Sequence, residues 1–284
     1  MALKLKSPDV DIFVPDGACL DGAFEKTTRL AITAHQDDTE IAAIHGVMEC
    51  FGRADEWFAG VTVTNGSGSP RSGRYGHLSD EEMMEVRLRE QRKAAMVGEY
   101  AFHVQLGYSS STVKDSSESG PFEDILSILR ASRPEIVYIH NPADKHVTHV
   151  ATALRSIEAL RSLPEDVRPG KVFGCEVWRG LDWLQDDEKE FLGVDAGSGV
   201  AASLIGLFDS QVAGGKRYDL ASSGRRLANA TFFASHDTDD AGEAVYAMDL
   251  TPLVADPSLS VVDFVLAAID RFKKDVSATI GSVS

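Results

Sequence analysis

Residues 28–50 read Thr-Arg-Leu-Ala-Ile-Thr-Ala-His-Gln-Asp-Asp-Thr-Glu-Ile-Ala-Ala-Ile-His-Gly-Val-Met-Glu-Cys. Thr28 to Ala34 form a short apolar run that ends at His35. From Asp38 to Cys50 the apolar residues Ile41, Ile44, Val47 and Met48 recur at helical spacing. The stretch therefore predicts a buried strand, a tight turn and one helix, with His35, Gln36, Asp37 and Asp38 in the turn. In open α/β sheets such a turn lies at the carboxyl edge, where ligands bind.

The same alternation continues outward. A second strand is expected at Trp57–Thr64, ending in the turn-rich loop Asn65-Gly66-Ser67-Gly68-Ser69-Pro70. Ser79 with Glu82 is a capping box, and it opens a helix to about Gly98 with Met83, Val86, Ala94 and Val97 on its apolar face. A strand at Phe102–Leu106, a serine-rich polar loop, a helix at Pro121–Leu129, a strand at Glu135–His140, a helix at Val147–Leu163 and a strand at Val172–Trp178 follow. Regular alternation implies an α/β fold, a doubly wound, Rossmann-like and mostly parallel sheet with helices on both faces. Beyond it come a polar stretch, helical segments at Val200–Val212 and Lys216–Phe233, a strand at Val245–Leu253 and a terminal helix. With no internal repeat or linker composition, the chain reads as one domain, residues 1–284, with a core at 28–180 and a C-terminal elaboration at 181–284.

Bulk composition narrows the function. Lys plus Arg number 28 against 44 Asp plus Glu, a formal charge of -16 that repels phosphate backbones and anionic lipid surfaces, so neither nucleic acid nor membrane is an expected partner. The acidic run Asp186-Asp187-Glu188-Lys189-Glu190 reads as a solvated face. Cys19, Cys50 and Cys175 show no metal or redox spacing, which fits a reducing compartment. The first twenty residues interleave charges with apolar residues and contain no continuous apolar segment of a signal peptide, so a cytoplasmic location is expected. A homo-oligomer remains open.

A second histidine-bearing segment, Asp144-Lys145-His146-Val147-Thr148-His149, follows the fourth strand. Right-handed crossovers place both segments on the same sheet edge. Catalytic zinc takes three nitrogen or oxygen ligands and keeps one position for water. His35, Asp38, His146 and His149 exceed that number by one, and the favoured division puts His35, Asp38 and His149 on the metal and holds His146 back for the reacting group. Asp37, adjacent to a ligand but pointing elsewhere, is the expected base for a metal-activated water. Taken singly these signals are bland: a His-x-x-His pair is usually a surface feature, and an Asp-Asp pair after a strand is usually a helix cap. Their convergence on one edge carries the inference.

On these residues the chain resembles the PIG-L/LmbE-like family of zinc-dependent N-deacetylases, which act on acetamido groups of amino sugars and related glycoconjugates. That family's Ala-His-Pro-Asp-Asp-x-Glu is similar to Ala34-His35-Gln36-Asp37-Asp38-Thr39-Glu40, and its His-x-Asp-His to His146-Val147-Thr148-His149. The resemblance implies zinc on His35, Asp38 and His149, Asp37 as general base, and a small N-acetylated glycoside as substrate. Thr64-Asn65-Gly66, Arg87-x-x-Glu90 and Glu176-x-Trp178 extend it across roughly residues 28–180, and it implies that Arg87 reaches the substrate; the alternative for Arg87 is a helix-surface arginine paired to Glu90. Three departures stand out: Gln36 for proline, Thr148 for the aspartate that would orient His146, and Ile44-His45 for a Gly-Gly pair. The competing functions are hydrolysis of another amide or ester at the same metal site, and a sugar- or nucleotide-binding protein with a vestigial site. His45 and His103 are expected to be packing or surface histidines, His140 at the end of the fourth strand to be near enough to support a ligand without being one, and His236 with Asp237, Asp239 and Asp240 to lie in a polar loop. Gly66-Ser67-Gly68 lacks the G-x-G-x-x-G spacing of a phosphate cradle and is expected to line the pocket.

Overall fold

The computed structural model describes residues 3–194 and 197–284. Its strands are β1 Asp11–Phe13, β2 Arg29–Thr33, β3 Phe58–Thr64, β4 His103–Tyr108, β5 Ile136–His140, β6 Lys171–Cys175, β7 Lys189–Gly193 and β8 Ala244–Asp249. They form one sheet in the order β1-β4-β3-β2-β5-β6-β8-β7. The five inner strands from β4 to β6 are parallel, whereas β1 pairs antiparallel with β4, and β8 pairs antiparallel with both β6 and β7.

Every residue of β3 is buried, as a strand covered on both faces requires. One face packs Ala23, Phe24, Ile125, Leu129, Ile157, Leu160 and Leu253 against the sheet. The other packs Ile44, Val47, Ala94, Ala95, Ala201, Leu204 and Phe208. The helix Asp80–Val97 begins at Ser79 with both hydrogen bonds of the capping box formed.

Strand order places the site. The chain runs from β2 out through β3 to β4, then returns to lay β5 on the opposite side of β2. The direction of winding reverses between β2 and β5, and the crevice at their carboxyl ends is the switch point where doubly wound sheets bind ligands. His35 follows β2 and His140 ends β5.

Several expectations are corrected. The helix expected over Asp38–Cys50 is two, Asp38–Ala42 and Ile44–Cys50, broken at Ala43 (φ -109°, ψ 19°). The segment Val200–Val212 is likewise split, into Ser198–Gly206 and Asp209–Val212. The strand expected over Val245–Leu253 stops at Asp249 and turns into the helix Thr251–Ala255. The serine-rich loop holds the helix Ser110–Lys114, and the acidic run expected on a solvated face leads into β7. These segments are short, and sheet pairing or packing against distant elements decides them more than local pattern does. Among the described residues no helix is long and apolar enough to cross a membrane, and all three cysteines are free.

Candidate metal centre

The turn after β2 is built to present two carboxylates in different directions. Asp37 takes left-handed backbone dihedrals (φ 86°, ψ -28°), which aspartate tolerates better than most residues. Gln36, in place of a proline, fixes the turn from within: its buried Nε2 donates to Thr64 O and Gln105 Oε1, both at 3.1 Å. Gly66 (φ 75°) faces it, and a Cβ there would stand 2.5 Å from Gln36 Oε1.

Asp38 folds back on the turn, its Oδ2 accepting the His35 backbone N–H at 2.8 Å. That oxygen lies 3.0 Å from His35 Nδ1 and 3.2 Å from His149 Nε2, and the two nitrogens are 3.1 Å apart. Donors bound at ~2.0–2.1 Å to a tetrahedral zinc would be separated by about 3.3–3.4 Å, so this triangle is nearly that of three zinc ligands. Two overlapping groups, His35 with His146 and His149 and Asp38 with His140 and His149, also have their ligating atoms within 4.8 Å of one another.

His140 is a poorer ligand than the triangle's members because its Nε2 already accepts the Ala34 N–H at 2.9 Å. Its ring stacks on His149 with centroids 3.9 Å apart and planes 16° apart. Burial and the neighbouring His149 push its pKa down to about 4, so it sits neutral beside the donors.

The electrostatics favour a cation at the centre. Burial opposes the charge on Asp38, yet His149 and His35 hold its carboxyl well below the usual range. Burial likewise disfavours a charged His149, but Asp38 and Asp144 outweigh it and raise the imidazole to about 9. His149 Nδ1 lies 2.8 Å from Asp144 Oδ2, a carboxylate-to-histidine contact that directs Nε2 toward the centre.

Asp37 stands beside this group without entering the triangle. Arg87 Nη2 donates to its Oδ2 at 2.9 Å, and Gln91 Oε1 accepts its backbone N–H at 3.2 Å. Burial raises its pKa to about 6, with Arg87 acting in the opposite direction and Asp38 adding to the rise. A carboxyl poised there is suited to taking and returning a proton near neutral pH.

Arg87 is 1% exposed, neither on a helix surface nor free to swing into solvent. Besides Asp37 it donates to Gln36 O and approaches Glu90 Oε2 and Ser210 Oγ at 3.4 Å. Glu90 in turn accepts the Ser210 backbone N–H at 2.7 Å and its hydroxyl at 2.6 Å. Phe208 packs its ring 5.6 Å from the Arg87 guanidinium. The segment Phe208–Gln211 is therefore anchored on the site, and Gln211 lines the cleft.

The cleft in front of these groups has a volume of about 470 Å³. Gly66, Lys114, His146, Trp178, Lys216 and Tyr218 form much of its wall beyond the turn. His146 immediately precedes the helix Val147–Arg161, with its ring 5.0 Å from that of His35 and 4.7 Å from that of His149. Thr148 gives it no carboxylate partner, and burial together with the His149 and His35 charges pushes it down to about 4, so its imidazole is neutral.

The remaining histidines lie away from the cleft. His103 is buried in the sheet with Nε2 2.9 Å from Thr62 Oγ1, pushed down to about 3 by burial. His45 Nδ1 lies 2.8 Å from Tyr138 OH. His236, Asp237, Asp239 and Asp240 are exposed, and they form no donor cluster among the described residues. No local pattern assigns a part to Asp144 or Gln91; the placement of Asp144 five residues before His149 was the signal available.

The profile of the PIG-L family, described as GlcNAc-PI de-N-acetylase, matches residues 30–160. No curated protein matches the chain in sequence. Among solved structures, a conserved protein from Thermus thermophilus superposes with a TM-score of 0.61 at 16% identity, covering 82% of this chain and 98% of its own. The 4-carboxy-2-hydroxymuconate hydratase of Pseudomonas putida gives 0.59 at 16% identity, with 80% and 97% covered. The N,N'-diacetylchitobiose deacetylase of Pyrococcus horikoshii gives 0.61 at 17% identity, with 81% and 86% covered. At these identities the likeness is one of fold, and that fold carries both a hydratase and a deacetylase.

Proposed function

We propose that the chain, whose residues 30–160 match the PIG-L family, is a zinc-dependent hydrolase removing an N-acetyl group from an amino sugar or a glycosylated small metabolite. The observation that carries this reading is the triangle of His35, Asp38 and His149 donors with edges of 3.0 to 3.2 Å, beside a carboxylate that stays outside it.

His35, Asp38 and His149 would hold the metal, with two imidazoles and one carboxylate as a catalytic zinc site prefers. A zinc ion there supplies Lewis acidity toward the amide carbonyl and makes water acidic near neutral pH. Asp37 takes the proton of the attacking water. Arg87 keeps one oxygen of that carboxylate occupied and so fixes its orientation. The neutral imidazole of His146 donates an N–H to the oxygen that gains negative charge as the carbonyl is attacked. Asp37, its pKa near 6, then returns the proton to the departing amine. Trp178 and Tyr218 offer flat apolar surface for a sugar ring, and Lys114 and Lys216 add positive charge to the wall.

The test is acetate release from a panel of N-acetylglucosamine conjugates, measured before and after chelation and after zinc is restored. Chelator-sensitive release of acetate supports the reading. Metal-dependent addition of water to an unsaturated acid, with no acetate release from any conjugate, would place the activity on the hydratase side of this fold.

A further inference from the structure

Trp178 and Tyr218 are shared walls: in front of them lies the catalytic cleft, and they also line a second cavity of about 120 Å³. Ser222, Arg226 and Asn229 line that cavity from the helix Tyr218–Phe232, where spacings of four and three residues put them on one face. Asn229 Nδ2 is taken by Ala244 O at 3.1 Å, and the neighbouring Arg225 Nη1 by Val177 O at 2.6 Å.

Arg226 differs from both. It is 2% exposed, and its Nε donates to Glu243 Oε2 at 2.5 Å, but neither Nη1 nor Nη2 has a hydrogen-bond partner among the described residues. Glu176, also in the wall, is committed elsewhere, accepting the Leu181 N–H at 2.7 Å and Trp183 Nε1–H at 2.9 Å. A buried guanidinium with both terminal nitrogens unmet is costly, because each N–H has left water without gaining an acceptor. Filling the cavity with an acceptor removes that cost.

We propose that this cavity is a binding site for a small carboxylate, held through its two oxygens by the terminal nitrogens of Arg226. The guanidinium fork matches the spacing of carboxylate oxygens. Ile41, Leu181 and Val245 supply apolar wall for a short alkyl tail. A phosphate dianion fits worse, since a single guanidinium already paired with Glu243 faces it and the Glu176 carboxyl stands in the same wall. The carboxylate is either a small acid, such as one released by hydrolysis next door, or the acidic arm of a larger molecule. The proposal does not rest on the deacetylase reading.

The experiment is titration of the full chain with sodium acetate, propionate and butyrate at constant ionic strength, followed by calorimetry and by the side-chain N–H resonances of Arg226. It is run on wild type and on the Asp37→Asn variant, so that binding is read whether or not turnover exists. Saturable binding that shifts the Arg226 resonances is expected, weakened at least about tenfold in Arg226→Met. As a control for misfolding of Arg226→Met, Ser222→Leu supplies the second variant: it fills the cavity, keeps the guanidinium, and is expected to abolish binding. Tightest binding of acetate identifies a small acid as the occupant, and affinity rising to butyrate identifies the arm of a larger molecule. Absence of saturable binding in wild type, or equal affinity in wild type and Ser222→Leu, overturns the proposal.

Discussion

Asp144 Oδ2 lies 2.8 Å from His149 Nδ1, at the opposite side of the ring from the Nε2 that faces Asp38. The same carboxylate accepts the backbone N–H groups of Val177 at 3.1 Å and Trp178 at 3.2 Å. One residue thus sets both the orientation of the His149 ring and the position of Trp178 in the cleft wall. Asp144→Asn is expected to weaken zinc binding by roughly 10–100-fold while the chain stays folded, as loss of a ligand's supporting partner does elsewhere. Competition with a chromogenic chelator measures it, and unchanged affinity would remove Asp144 from the account.

Asp37 tests the division between ligand and base. Asn is the appropriate replacement because it also tolerates the positive φ of 86° that the turn imposes. In Asp37→Asn zinc content should stay near wild type while turnover falls by roughly 10²–10⁴-fold, the usual contribution of a positioned base. Substantial zinc loss in this variant would mean that Asp37 is a ligand.

Arg87 separates a positioning residue from a substrate contact. Arg87→Met leaves the Asp37 and Glu90 carboxylates buried without their cation, and a loss of about 3–5 kcal/mol in urea unfolding is expected. A variant of wild-type stability with only a raised KM would instead make Arg87 the substrate contact implied by the family resemblance.

Glu176 predicts a pH dependence of stability. Burial raises its pKa to about 7 from an ordinary 4.5, against the hydrogen bonds from Trp183 and Leu181. A carboxyl whose pKa is raised by folding contributes stability that is complete below pH 4.5 and is lost as pH climbs through 7. Between pH 5 and 8 wild type should therefore lose about 2–3 kcal/mol more than Glu176→Gln, which has no charge to bury. Parallel urea titrations at the two pH values measure this, and parallel losses would show that Glu176 ionises freely.

Much of the architecture was legible because local pattern and tertiary role agree in the centre of the sheet. The apolar run before His35 is β2, and Ser79 with Glu82 caps the helix that carries Arg87. The margins were not legible: β1 is three residues long and β7 half-buried, and antiparallel partners far along the chain define both. The site divides in the same way. His35 lies in the turn after β2, and Asp38 and His149 in the first turns of the helices that follow β2 and β5, places that follow from strand order. The burial of Arg87 depends on Asp37 and Ser210, which lie 50 and 123 residues away, and no local spacing announces such a meeting. The segment Phe208–Gln211 likewise acquires its role only through Glu90, far away along the chain.

The most direct measurement of the central claim is metal content per chain in wild type, His149→Ala and Asp38→Ala, with acetate release followed as zinc is titrated back into chelated protein. The account predicts one zinc per wild-type chain, none retained by either variant, and acetate release that rises with zinc and saturates at one equivalent. Wild-type zinc content in His149→Ala, or acetate release indifferent to zinc, would contradict it.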